Sequence, residues 1–94
     1  MHRYVIERDI PGVGTIADED LRSTAEGSND ALRELSPDVQ WVESYITADR
    51  IYCVYFAECE ADIRDHARRA GLPVTKVSEV IRMADPTTAN RVLR

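Results

Sequence analysis

Two thiols, two imidazoles and a set of scattered carboxylates are the side chains of this chain that could hold a metal ion, and their spacing decides which of them could act together. Cys59, Asp62 and His66 stand at i, i+3 and i+7, so they project from one side of a helix if residue 59 is already helical. A thiolate, a carboxylate and an imidazole suit a borderline transition ion such as Ni(II), Zn(II) or Co(II). The plainer reading of "DIRDHARRAGLP" is an exposed helix. There Asp62 complements the positive N-terminus, and His66 sits in the last turns, where a positive charge is mildly favourable.

A second group is Glu7, Glu43 and Glu79, each near the middle of a predicted strand. Gathered on one face they could bind a cation or handle protons. Cross-strand pairing is the ordinary alternative, with Arg8 and Arg82 as neutralisers, because an unpaired buried carboxylate is costly. His2 offers a third arrangement, in which an α-amine, an imidazole and the amide between them chelate Ni(II) or Cu(II), set against the usual disorder of a terminus. Cys53 and Cys59 read as free thiols in a reducing cytoplasm; no CxxC or CxxH spacing marks a zinc-finger-type site, and neither has a histidine fixed beside it as a nucleophile would need. "GVG" at 12–14 is a turn signal and lacks the glycine spacing of a phosphate loop.

Composition narrows the partners. Acids outnumber Lys plus Arg by 17 to 12, which opposes a nucleic-acid binder because neutralising phosphates needs a concentrated basic surface. No apolar run approaches the roughly 20 residues that cross a bilayer. The opening "MHRYVIERDI" has neither the basic start nor the apolar stretch of a secretion signal, so a cytoplasmic protein is expected.

The elements that must position these groups follow from punctuation and period. "RYVIERDI" predicts a strand ended by Pro11, Gly12 and Gly14. Leu21, Ala25, Ser28, Leu32 and Leu35 recur at helical steps and predict a helix over about 17–35, acidic at its start and weakened by Gly27, where a break or close packing is expected. Val39 to Thr47 and Ile51 to Ala57 predict a hairpin around the turn "ADR". The second of these runs is apolar throughout, so it belongs inside a sheet with both faces covered. Residues 58–71 predict a second helix stopped by Gly71, and 74–83 a last strand, with 85–94 a polar tail.

Strand, helix, strand, strand, helix, strand within one domain spanning 1–94 is the α+β, ferredoxin-like βαββαβ pattern: two helices on one face of a four-stranded antiparallel sheet. The bare face seeks a cover, and a homodimer through it is expected. With Thr47 paired to Ile51, the helix side carries Val42, Ser44, Ile46, Tyr52, Val54 and Phe56. The open side then carries Trp41, Glu43, Tyr45, Ile51, Cys53 and Tyr55, an assignment that a one-residue slip would reverse.

The blocks "YVIERDIPGVG", "QWVESYITADRIYCVYFA", "IRDHARRAGLP" and "VSEVIRMADPTTA" resemble the small ferredoxin-like nickel-binding proteins, a family common in actinobacteria and largely catalogued as a domain of unknown function. The resemblance runs over nearly the whole chain. It implies a dimer, nickel bound at the protein surface and a role in nickel sequestration without catalysis. It lends weight to His66 and Cys53, which lie within matching blocks, and it places Glu43 where relatives are associated with histidine. A glutamate there keeps a donor while lowering the preference for a borderline ion. The competing functions are a small dimeric enzyme, with Tyr45, Tyr55, Glu43 or Glu7 handling protons on the open face, and a module that docks only protein through its Trp41 face.

Overall fold

The computed structural model describes residues 1–35 and 38–90, Leu35 by its backbone alone. Along the chain run β1 (His2–Asp9), α1 (Asp18–Leu35), β2 (Val39–Ile46), β3 (Arg50–Ala57), α2 (Glu60–Ala70) and β4 (Lys76–Glu79), with short 3-10 turns at Val13–Thr15 and Pro86–Asn90. The strands form one antiparallel sheet in the order β2-β3-β1-β4. This is the ferredoxin-like α+β arrangement. The doubly apolar run 51–57 lies inside the sheet, between β2 and β1, as its composition requires.

β1 decides which face of the sheet meets the helices. Tyr4, Ile6 and Arg8 are buried while Arg3, Val5 and Glu7 are half-buried, and the register pairs Tyr4 with Tyr55 and Ile6 with Cys53. Ile51, Cys53, Tyr55 and Ala57 therefore line the helix side together with Val39 and Ile63, and form the core. Tyr52, Val54 and Phe56 lie on the other face. The face expected from the sequence is thus reversed for β3.

Two irregular features account for the reversal. Thr47 N–H donates to the Arg50 carbonyl at 2.9 Å, so Ile46 opposes Ile51 and the hairpin loop is one residue tighter than a Thr47–Ile51 pairing needs. The register then shifts between Trp41 and Glu43, a bulge at Val42 that adds one residue to the edge strand. Trp41 and Ser44 consequently both stand with Tyr55 and Cys53 beneath the helices. Glu43 and Tyr45 remain on the open face, as expected; Trp41, Ile51, Cys53 and Tyr55 do not.

The last strand is shorter than 74–83. Val80 N–H bonds the Arg3 carbonyl at 2.8 Å, and β1 begins one residue earlier, at His2. Ile81 and Met83 lie beyond the end of β4 and are exposed. The expected tail 85–94 includes the 3-10 turn at 86–90, and 91–94 lie outside the described residues.

Gly14 packs closely against the turn between β2 and β3. Its N–H donates to the Ala48 carbonyl at 3.0 Å, and a Cβ there would lie 2.8 Å from Ala48 Cα and from the Thr47 oxygen. Gly27, by contrast, has open space around its Cβ position, and α1 passes through it unbroken.

Candidate functional site

α2 is defined at both ends by its sequence. Cys59 is the extended residue before it, with φ −155°, and Glu60 and Asp62 occupy the first turn. Gly71 closes it at φ 70°, a left-handed conformation that suits glycine, and Leu72 N–H reaches back to the Ala67 carbonyl at 2.9 Å. Between these ends Ile63, His66 and Ala67 form the buried stripe. His66 belongs to the core of the molecule, with no exposed surface at all. The exposed helix expected around it is real for Arg64, Arg68 and Arg69 and wrong for His66 itself.

His66 ties the two helices together. Its Nε2 lies 3.2 Å from both the carbonyl oxygen and the Oγ of Ser28 in α1. Burial pushes its pKa down from the usual 6.5; the Ser28 carbonyl opposes this and the charge of Arg8 adds to it. The neutral imidazole carries one proton, and the carbonyl acceptor assigns it to Nε2, leaving the buried Nδ1 without a partner among the described residues. Tyr55 packs on the ring at 5.2 Å between centroids, and its hydroxyl lies 3.5 Å from Ser28 Oγ. Burial raises the Tyr55 pKa, so this hydroxyl is also neutral.

Arg8 completes the buried polar group. It is 1% exposed, and its Nη1 donates to the Pro73 carbonyl at 2.7 Å. Among the described residues, no acceptor lies within hydrogen-bond distance of Nε or Nη2. Beside it, between α1 and the β2–β3 hairpin, is a cavity of about 60 Å³ whose wall includes Arg8, Ser28, Trp41, Ser44, Cys53 and Tyr55. Trp41 Nε1 donates to Ser44 Oγ, and Ser44 Oγ donates to Cys53 Sγ, each at 3.0 Å.

The metal donors expected from the sequence are dispersed. Among the described residues no three His, Cys, Asp or Glu side chains form a group able to hold an ion. Cys59 is exposed ahead of α2, Asp62 is half-buried on its first turn, and His66 points inward to Ser28. Cys53 is buried beneath the helices. Glu7 is on the open face, ion-paired to Arg50 at 2.9 Å, while the expected neutraliser Arg8 faces the other way. Arg50 also binds Asp9 at 2.5 Å. Glu43 accepts a hydrogen bond from Tyr45 at the edge of the sheet. His2 and Glu79 do approach one another at the surface, with Nδ1 and Oε1 3.8 Å apart and both side chains exposed.

The group that sequence reading passed over is the buried set of Arg8, Ser28, Tyr55 and His66. Its signal was present: Arg8 alternates with Tyr4 and Ile6 on β1, and His66 stands at i+3 from Ile63 on α2.

The model of the family described as nickel responsive protein SCO4226-like matches residues 4–80. The chain belongs to this SCO4226-like family. The match takes in both helices, β2, β3, β4 and all of β1 but its first two residues, His2 and Arg3, and ends at Val80, just past β4. The crystal structure of SCO4226 from Streptomyces coelicolor A3(2) is similar in fold, with a TM-score of 0.70 over 87% of this chain and 99% of that one, at 20% sequence identity. No curated protein matches the chain. No helix among the described residues is long and apolar enough to cross a membrane. In this SCO4226-like chain the inward-facing imidazole of His66 is committed to Ser28, while the exposed side chains of His2 and Glu79 lie together at the surface.

Proposed function

We propose that this SCO4226-like protein is a cytoplasmic homodimer that binds and sequesters nickel at its surface. The family description names nickel responsiveness, and the His2–Glu79 pair supplies the observation that carries the reading here. An imidazole nitrogen and a carboxylate oxygen are both acceptable nickel donors, and with water or a donor from the second subunit they make an open, exchangeable site. A labile site of this kind suits an ion that is cargo to be held and released. The open sheet face, with Val5, Tyr52, Val54 and Phe56 half-buried across its centre, supports pairing with a second copy.

Titration calorimetry of untagged protein with nickel chloride tests the reading. Wild type is expected to give a saturable isotherm, and His2→Ala or Glu79→Gln to weaken it. His66→Gln is expected to leave it unchanged, because that side chain faces Ser28. A flat wild-type titration would remove nickel binding from the proposal, and an unaltered isotherm in both surface variants would move the site elsewhere.

A further inference from the structure

β4 ends at Glu79, and the chain beyond it stays on the outside of its own subunit. From Ile81 to Asn90 every residue but Thr88 is exposed. Ile81 and Met83, at 80% and 64% exposure, are the most exposed large apolar side chains among the described residues. The molecule is also more drawn out than a compact chain of its length, with a radius of gyration of 14.7 Å against about 12 Å. The segment nevertheless has a shape. Asp85 N–H donates to Thr88 Oγ1 at 2.9 Å, and the Asp85 carboxylate accepts from Thr87 N–H at 2.8 Å, which sets the 3-10 turn at Pro86–Asn90. Two large apolar side chains left in water on a shaped segment, beside a further apolar face, mark a contact surface.

Met83 fixes where the segment runs. Arg3 Nη1 donates to Met83 Sδ at 2.7 Å, and the same guanidinium lies 4.6 Å over the ring of Phe56. Arg3 and Phe56 are paired across β1 and β3 and both face away from the helices. Met83 therefore borders the open sheet face, and the apolar ground of Val5, Val54 and Phe56 continues through Arg3 onto the segment. That face alone is small for a stable pairing. Three strands of eight residues and one of four, alternating sides, give it about fourteen side chains, where a standard interface takes about 20–30 from each partner.

We infer that residues 81–90 form an arm that reaches onto a second copy of this chain, with Ile81 and Met83 seated on the partner at the rim of the open face. The inference rests on the homodimer proposed above and adds to it the contact that completes the pairing. The family match ends at Val80, so the arm lies outside it. In a two-fold dimer each arm meets the other subunit, so every side chain of the arm is buried twice.

Sedimentation equilibrium on the full chain compares wild type with the double variant Ile81→Ser, Met83→Ser. Both positions are exposed in the subunit, so its fold should be unchanged, which circular dichroism checks. Wild type is expected to be a dimer, and the double variant to dissociate at a concentration at least about tenfold higher. Limited trypsin digestion gives a second readout. Arg82 lies between the two apolar residues and is exposed in the subunit, so trypsin can cut after it. Mass spectrometry should show that cut to be slower at concentrations where wild type pairs than after dilution to single subunits. A wild type that is monomeric at every concentration would overturn the homodimer and the arm together. A dimeric wild type whose dissociation constant is unchanged in the double variant, or whose Arg82 is cut equally fast before and after dilution, would overturn the arm and leave pairing through the sheet face standing.

Discussion

His66 Nε2 stands 3.2 Å from the main-chain oxygen of Ser28, so a side chain of α2 is fastened to the backbone of α1 across the interior. The consequence is a stability that depends on acid. Above the ordinary histidine pKa of 6.5 the ring is neutral in both the folded and the unfolded chain, and it adds no slope. Below that value the unfolded chain takes up a proton that the folded one resists, because burial has depressed the folded pKa. Stability is therefore lost as pH falls from 6.5 through the folded pKa, at up to about 1.4 kcal/mol per pH unit. Denaturant unfolding followed at neutral and mildly acidic pH should show this loss in wild type. In His66→Gln the same interval should be flatter; an equal slope in both proteins would assign the acid sensitivity to other groups.

Two glycines should respond to alanine in opposite directions. At Gly14 the new methyl meets backbone at Ala48 and Thr47, which cannot swing aside as a flexible side chain would. Gly14→Ala should cost about 1–3 kcal/mol, as overpacking usually does. At Gly27 no described atom beyond its chain neighbours and the adjoining helix backbone lies within 4 Å of the new methyl, and the residue sits mid-helix. Gly27→Ala should stabilise by about 0.5–1 kcal/mol through helix propensity and a less flexible unfolded chain. Thermal melts of the two variants beside wild type check both signs.

The order of elements was legible because each carries its own local signal: alternation and turns for the strands, a 3.6-residue stripe and glycine stops for the helices. The interior place of 51–57 was legible from its composition, since only a strand covered on both sides can be apolar throughout. That same property hid its orientation. Swapping Cys53 and Tyr55 for Val54 and Phe56 changes little in hydrophobicity, and the bulge at Val42 has no glycine or proline to announce it. β1 held the answer, because Tyr4 and Ile6 contrast with Arg3 and Glu7, although Arg8 blurs the contrast. The donors misled for a related reason. Spacing on a helix places Cys59, Asp62 and His66 near one another in angle, but burial of Ile63 and Ala67 turns His66 inward and leaves Cys59 outside. The pairing of His2 with Glu79 depends on β1 and β4 lying side by side, a contact between the two ends of the fold that no local motif encodes.

The homodimer proposed above can be tested at the centre of the open face. Val54 lies between Glu43 on β2 and Val5 on β1, with Tyr52 and Phe56 two residues to either side on its own strand. Arg3 stacks over Phe56 at 4.6 Å, so the patch is apolar in the middle and charged at its border. A stable interface of ordinary size buries about 800 Å² on each partner, and a carboxylate placed at its centre would be desolvated without a counter-ion. Val54→Glu adds that charge beside Glu43 on a side chain remote from the core, so the subunit itself should still fold. Sedimentation equilibrium should find wild type as a dimer and Val54→Glu as a monomer, with the far-ultraviolet circular dichroism of the two alike. A monomeric wild type would eliminate self-pairing through this face, and a dimeric Val54→Glu would place the contact on another surface.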